Sequence, residues 1–127
     1  MYRVKSYILS GCWLIAILII SILPGRSIPK VGLGFFDHLD KIAHFTVYAI
    51  LSILMAYEIY ERRGNLDLRG LVTIWLICFA YGLLLEIVQL MFLSDRSFEF
   101  PDIIANIIGS LVGGIFVYVY YRKKKKV

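Results

Sequence analysis

Four long apolar runs constrain this chain more than any other feature of its sequence. They cover residues 7–23, 42–60, 70–93 and 103–121. An α-helix rises about 1.5 Å per residue, so a run of about 20 residues crosses a bilayer core about 30 Å thick. A chain of 127 residues with 60% hydrophobic and only 18% charged residues would leave large apolar patches exposed in water. We therefore predict an all-α fold, in which one domain over residues 1–127 forms an integral membrane four-helix bundle.

Basic residues are distributed unevenly between the two ends of the predicted helices. If the N-terminus is inside the cell, ten of the 14 lysines and arginines lie on the inner side. They are Arg3, Lys5, Arg62, Arg63, Arg69, Arg122 and the four lysines at 123–126. Cytoplasmic segments carry such an excess, so we predict that the N- and C-termini are both cytoplasmic. The net charge of +5 then reflects topology, and because no nucleic-acid-binding motif accompanies it, we expect no nucleic-acid partner.

The first apolar run resembles a secretory signal peptide, because basic residues precede an apolar stretch. No small-x-small cleavage site precedes the break at Leu23-Pro24-Gly25, however. We therefore interpret this run as an uncleaved first helix that remains part of the bundle in the membrane.

Polar residues occur at the predicted outer ends of three helices, where they are costly unless they have partners. Helical spacing places them on shared faces and at similar depths below the outer surface. These residues are Asp40, Lys41 and His44 in the second helix, Glu86 and Gln89 in the third, and Asp102 and Asn106 in the fourth. Arg96 lies in the loop that joins the last two helices. We predict that together they form a polar pocket that opens to the outer side.

Glu86 and His44 are the candidate catalytic residues of this pocket. A carboxylate inside a membrane span is expensive, so Glu86 either acts on a ligand or is held by hydrogen bonds that align the helices. His44 has Asp40 one turn away to orient its ring, which suits a general base. It fits equally well as a hydrogen-bonding residue between helices. Both interpretations stay open for both residues.

The other polar residues are candidate ligand-binding residues: Asp40, Lys41, Gln89, Arg96, Asp102 and Asn106. Lys41 and Arg96 supply the positive charge that a phosphate or a carboxylate requires. The planar guanidinium of Arg96 can bind either group through two hydrogen bonds. An ion pair between Arg96 and Asp102 within the loop is the alternative.

Imidazole and carboxylate groups in this set also offer ligands for a metal ion. The residues concerned are Asp40, His44, Glu86 and Asp102. Their spacing matches no compact metal-binding signature such as His-Glu-x-x-His, and the sequence contains no cofactor-binding motif. We therefore assign no metal and no cofactor, and metal binding stays an open question.

Small residues form a ladder along the predicted fourth helix. Ala105, Gly109 and Gly113 are each four residues apart, and this spacing allows the backbone of another helix to approach closely. We predict that the ladder packs inside the bundle, against the second or third helix. Pairing of two chains through the ladder is the alternative, and it would make the protein a homo-oligomer.

Several of these residues occur in a combination that resembles the VanZ-like membrane proteins. The resemblance rests on Leu23-Pro24-Gly25, on the segment 40–48 with Asp40, Lys41, His44 and Tyr48, on 86–89 with Glu86 and Gln89, on Arg96, on 102–109 with Asp102 and Asn106, and on Gly113. It covers about residues 20–115. It implies a multi-pass protein of the bacterial cytoplasmic membrane, in a family named for an accessory role in resistance to the glycopeptide teicoplanin. It implies no particular reaction.

Three functions are consistent with this sequence. In the first, the pocket binds a cell-envelope lipid, a lipid-linked envelope precursor or an anionic head group, and thereby influences teicoplanin susceptibility. In the second, the protein is a membrane enzyme that acts on a lipid-linked or phosphate-bearing substrate through His44 and Glu86, with Arg96 holding the phosphate. In the third, the polar cluster only fixes helix packing. We predict the first function, and whether the chain is an enzyme stays open.

Overall fold

A computed structural model describes residues 7–22, 35–92 and 100–125, except for the side chains of residues 35–40. The described residues form four α-helices. The helices are, in order, α1 (Ile8–Ile22), α2 (Phe35–Arg63), α3 (Leu68–Phe92) and α4 (Phe100–Lys125). No strand occurs among the residues in these ranges. The predicted all-α fold with four helices is confirmed.

Three of the helices are long and apolar enough to span a membrane. The spans are Lys41–Arg63 in α2, Leu68–Phe92 in α3 and Phe100–Lys125 in α4, with 23, 25 and 26 residues. The described part of α1 has 15 residues and a length of about 22 Å, which is less than a bilayer core of about 30 Å. The chain is therefore a multi-pass membrane protein with three helices of spanning length and one shorter apolar helix.

A glycine follows the last residue of α2, and an aspartate precedes the first residue of α3. Gly64 has a φ of 71°, a left-handed conformation that glycine adopts without steric cost, and its N–H donates to the Tyr60 carbonyl oxygen at 2.7 Å. Asp67 caps the next helix, because its Oδ1 accepts a hydrogen bond from the N–H of Gly70 at 2.9 Å. These caps fix the short turn that reverses the chain between the two helices.

Helices that follow one another in the chain run in opposite directions, so α2 and α4 are parallel. Phe45 and Ala49 of α2 face Gly109 and Gly113 of α4, in the same order along both helices. We call the end of the bundle where α2 and α4 begin the polar end. The other end carries the arginines and lysines in the last turns of both helices, and we call it the basic end. Which side of the membrane each end faces stays a prediction.

The most extensive contact between helices joins α2 to α4, and it depends on glycine. A Cβ on Gly109 or Gly113 would collide with the backbone carbonyl group of the facing α2 residue, so only glycine permits this separation. Close by, the Ser52 hydroxyl donates to the carbonyl oxygen of Ser110 at 2.7 Å, and both serines are buried. The small-residue ladder therefore packs inside the bundle, against α2.

At the basic end, a fully buried carboxylate holds the first turn of α1. Glu58 of α2 accepts hydrogen bonds from the backbone N–H groups of Leu9 and Ser10, at 2.7 and 3.1 Å, and from the Ser10 hydroxyl at 2.5 Å. The first N–H groups of a helix have no partner within it, and they carry partial positive charge. Glu58 therefore satisfies these donors while they stabilise its negative charge.

Replacing Gly109 with alanine should destabilise the bundle, because the added methyl group would force α4 away from α2. Overpacking of this kind costs about 1–3 kcal/mol. Gly11→Ala is the matched control, since a Cβ there meets no atom within 4 Å and alanine favours a helix. SDS-induced unfolding of the detergent-solubilised chain measures both variants. A Gly109→Ala protein as stable as Gly11→Ala would contradict the close packing.

Replacing Glu58 with alanine should release the first turn of α1. The N–H groups of Leu9 and Ser10 would lose their acceptor inside the protein, at a cost of about 1–3 kcal/mol. Hydrogen–deuterium exchange at these two amides should therefore accelerate by about tenfold or more. The control is Glu61→Ala, which removes a partly buried carboxylate one turn further along α2. Unchanged exchange in Glu58→Ala would show that other groups hold α1.

Candidate functional site

Side chains of α2 and α4 meet at the polar end through one imidazole ring. Nδ1 of His44 lies 3.1 Å from the amide oxygen of Asn106, within hydrogen-bond distance. Nε2 lies 3.8 Å from Oδ2 of Asp102, which is an ion-pair distance but is long for a hydrogen bond. The parallel approach of the two helices thus brings three of the predicted site residues together.

A third helix contributes Glu86, the most unusual polar residue in its apolar run. His44, Glu86 and Asp102 each offer one ligand atom, and these three atoms lie within 4.8 Å of one another. Both carboxylates are buried, Glu86 at 4% and Asp102 at 6% exposure, whereas His44 is partly buried. Helices α2, α3 and α4 therefore bring an imidazole and two carboxylates to one place inside the polar end. We call these three residues the polar cluster.

The contact with Asn106 indicates which nitrogen of His44 carries the hydrogen atom in the neutral ring. An amide oxygen only accepts hydrogen bonds, so Nδ1 is the donor and bears a hydrogen atom. In the neutral ring the lone pair is then on Nε2, the atom that faces Asp102. This tautomer makes Nε2 available as a base or as a ligand for a metal ion.

A cavity of about 190 Å³ lies beside the cluster, and its wall combines polar and apolar surfaces. Its polar lining residues are Ser21, His44, Tyr48, Glu86, Gln89 and Asn106, and its main apolar ones are Ile17, Ile20, Val47 and Leu85. All four helices contribute to this wall. Pockets that bind small molecules combine apolar surface with a few polar groups in this way. The cavity suits an amphiphile, whose polar group would lie against the cluster and whose hydrocarbon would contact the aliphatic side chains.

Gly82 provides the room that this arrangement needs. A Cβ at this position would lie 2.9 Å from Nδ2 of Asn106 and 3.4 Å from the hydroxyl oxygen of Tyr48. Any side chain at Gly82 would therefore displace the amide that bonds to His44. Gly82 lies one helical turn before Glu86, so α3 supplies both the space and a carboxylate.

Gln89 has a partner outside the cluster. Its Nε2 donates to the Ser21 carbonyl oxygen of α1 at 2.9 Å, and the hydroxyl of Tyr81 donates to the Leu14 carbonyl oxygen at 2.6 Å. Both bonds fasten α1 to α3. Gln89 therefore lines the cavity and also holds the wall that α1 forms. Nothing in the sequence indicated the contribution of Ser21, because the acceptor is a backbone oxygen.

The remaining predicted site residues are Lys41, Asp40 and Arg96. Lys41 lies on α2 before His44, is partly buried, and lines a separate, mainly apolar groove with residues such as Phe45. Asp40 belongs to α2, but its side chain lies outside the described part of the chain, as does the whole of Arg96. The assignment of these residues to a ligand site stays a prediction.

Comparison with known proteins identifies the family. The family model described as VanZ/LLP1 matches residues 5–121, nearly the whole chain. The chain belongs to the VanZ/LLP1 family. The resemblance to VanZ-like proteins is thereby confirmed, and the whole polar cluster of this VanZ/LLP1 protein lies within the matched region.

A relative of this VanZ/LLP1 protein occurs in a eukaryote. A protein of the fission yeast Schizosaccharomyces pombe, described as uncharacterized, is 31% identical to it over 88 residues. The similar region covers 67% of this chain and 50% of the yeast protein, so the chain spans about half the length of that relative. No solved structure matches the chain.

Histidine labelled with ¹⁵N should report the tautomer of His44 in this VanZ/LLP1 protein. At a pH where the ring is neutral, Nδ1 should have the NMR shift of a protonated nitrogen. It should keep that shift in Asn106→Asp, which preserves an acceptor, and lose it in Asn106→Leu. His38→Gln identifies the His44 signals, because the chain has 2 histidines. A lone-pair shift at Nδ1 of the wild type would contradict the hydrogen bond.

Proposed function

We propose that this protein binds the phosphate-bearing head group of a membrane lipid in the cavity at its polar end. The observation that carries the proposal is the mixed wall of the cavity, with titratable and amide side chains on one part and aliphatic side chains on another. A lipid has both kinds of surface. A free ion or a purely apolar molecule would leave one part of the wall without a complementary partner.

The proposed site lies at the outer face of the bacterial cytoplasmic membrane. The last turns of α2 and α4 carry arginines and lysines, and an excess of these residues favours the cytoplasmic side. The polar end then faces outward, where envelope lipids and lipid-linked envelope precursors expose their head groups. A protein that binds such lipids would alter the surface that teicoplanin meets, and we expect it to influence susceptibility by this route.

The relative in fission yeast favours a widespread lipid as the ligand. A head group that bacteria and fungi share, such as that of a glycerophospholipid, accounts for the similar sequences more simply than a precursor made only by bacteria. Any effect on teicoplanin would then be a consequence of lipid binding in those organisms whose envelope the antibiotic attacks.

A phosphate beside two buried carboxylates requires positive charge. Like charges about 4 Å apart repel by about 4 kcal/mol at an effective dielectric constant of about 20. Lys41 and Arg96 are the predicted contacts that supply this charge. Binding of the head group is thus expected to depend on the charge of the whole cluster.

An acid–base enzyme is the second candidate, and the convergence of three titratable groups favours it. His44, Glu86 and Asp102 offer ligand atoms within 4.8 Å of one another, close enough for one group to remove a proton while another donates one. His44 is then the base and Glu86 the acid, and the substrate is lipid-linked or bears a phosphate. Turnover separates this candidate from simple binding, because Glu86→Gln would abolish a reaction and leave binding measurable.

A bulky residue at the edge of the cavity should prevent lipid binding. Ala43 lines the cavity and is exposed, so Ala43→Trp fills the cavity without overpacking the core. Thr46→Trp is the matched control, because Thr46 is exposed on the same helix and does not line the cavity. We expect native mass spectrometry to detect one phosphatidic acid on the wild type and the control, with at least tenfold weaker binding to Ala43→Trp. Diacylglycerol with the same acyl chains lacks the phosphate and should bind weakly to all three proteins.

The same three proteins test the effect on teicoplanin in a Gram-positive host, with membrane levels matched by immunoblot. Expression of the wild type and Thr46→Trp should change susceptibility, whereas expression of Ala43→Trp should not. Equal binding of phosphatidic acid and diacylglycerol would overturn the head-group proposal and favour a packing role for the polar cluster. Lipid binding without any change in susceptibility would remove only the teicoplanin effect.

A further inference from the structure

We infer that His44, Glu86 and Asp102 bind one divalent transition-metal ion, Zn²⁺ or Mn²⁺. The three residues belong to α2, α3 and α4, and each offers one ligand atom within 4.8 Å of the other two. Metal sites in helical bundles are built in this way, from inward-facing side chains on different helices. The three residues are far apart in the sequence and come together only in the folded bundle, so no compact sequence signature accompanies them.

The set of ligand atoms selects the class of ion. One imidazole nitrogen and two carboxylate oxygens, without a thiolate, suit Zn²⁺ or Mn²⁺, whereas Ca²⁺ and Mg²⁺ favour sites made of oxygen alone. Three protein ligands also leave a coordination position for water or for another molecule. That position is accessible from the cavity, because His44 and Glu86 both line it.

The hydrogen bond between His44 and Asn106 prepares the ring for a metal ion. With Nδ1 donating to the amide oxygen at 3.1 Å, the lone pair of the neutral ring is on Nε2. A histidine that binds a metal ion through one nitrogen almost always donates a hydrogen bond from the other. Nε2 faces Oδ2 of Asp102 at 3.8 Å, and two electron-rich atoms this close repel each other unless a cation or a proton lies between them.

The distances require only a small contraction around the ion. Ligand atoms bound to one Zn²⁺ ion at about 2.1 Å lie roughly 3.4 Å apart in tetrahedral geometry. The separation of 3.8 Å between the His44 and Asp102 atoms is already close to this value. No pair of ligand atoms is more than 4.8 Å apart, and a side-chain rotation of Glu86 can close such a gap.

A divalent cation also balances the charge of the cluster. Two ionised carboxylates buried in a membrane-spanning bundle are costly, because apolar surroundings solvate them poorly. At the polar end, the ion would neutralise both carboxylates and leave the imidazole uncharged.

The role of the ion in lipid binding rests on the proposed function, whereas the metal site itself does not. An ion with an open coordination position at the cavity wall can bind a phosphate oxygen directly. It would replace the repulsion between the phosphate and the two carboxylates by attraction. The ion therefore provides the positive charge that head-group binding requires.

Metal titration of the purified chain tests the inference. The tag-free chain in detergent, without added lipid, is stripped with a chelator and titrated with Zn²⁺ or Mn²⁺. We expect one ion per chain and at least tenfold weaker binding in Glu86→Gln and Asp102→Asn, which keep the side-chain shape and remove the charge. Glu61→Gln and His38→Gln remove a carboxylate and a histidine elsewhere, and both should bind like the wild type.

A spectroscopic measurement on the wild type avoids any substitution in the site. Bound Mn²⁺ should show electron spin echo modulation from one imidazole nitrogen, and the modulation should change when the histidines carry ¹⁵N. The same signal should persist in His38→Gln. Its absence from a saturated sample would overturn the assignment of His44 as a ligand.

The results distinguish a failure of the metal site from a failure of the proposed lipid binding. No saturable metal binding, or equal binding by the wild type, Glu86→Gln and Asp102→Asn, would overturn the metal site. Phosphatidic acid binding that survives chelation would then uphold the lipid function alone. Saturable metal binding in a protein that binds no lipid would uphold the metal site and overturn the lipid function.

Discussion

The close approach of α2 and α4 is the constraint on which the rest of the structure depends. Gly109 and Gly113 allow the two backbones to touch, and because the helices are parallel, the residues before these contacts lie side by side. Asn106 precedes Gly109 by less than one turn, and His44 comes immediately before the α2 residue that Gly109 contacts. The same contact that excludes a Cβ therefore brings the imidazole to the amide. At a wider separation the imidazole and the amide would lose the hydrogen bond that joins them.

The bundle buries carboxylates at both ends, in two chemically different ways. At the basic end, both oxygens of Glu58 accept hydrogen bonds from the start of α1, so the protein itself satisfies the charge and gains a fixed position for that helix. At the polar end, Glu86 and Asp102 lie beside an imidazole, and Glu86 lines a cavity. The first arrangement is a means of attaching a helix. The second leaves space at the point where its charged groups converge, which is a property of sites that admit a ligand.

Much of this arrangement was predictable from the sequence, because the spacing of residues along a helix determines which side chains point in the same direction. The lengths of the apolar runs indicated four helices, and steps of three and four residues indicated which polar side chains share a face. Spacing does not give the rotation of each helix about its axis or the distance to its neighbours, and these decide the convergence of His44, Glu86 and Asp102. The partners of Glu58 and Gln89 were also beyond prediction, because they include backbone N–H and C=O groups of α1. Every residue offers a backbone C=O, and every residue except proline offers an N–H.

The two tryptophans of the chain lie in contrasting surroundings. The indole N–H of Trp13 in α1 donates to the Val47 carbonyl oxygen of α2 at 2.9 Å. The indole nitrogen of Trp75 in α3 is buried and has no hydrogen-bond partner among the residues that the structure describes. It lies beside Gly114 of α4, and a Cβ at that glycine would be 2.8 Å from it. An indole in apolar surroundings emits at a shorter wavelength than one that is hydrogen-bonded. We therefore expect the two indoles to emit at different wavelengths, so that Trp13 reports on the contact between α1 and α2 and Trp75 on the contact between α3 and α4.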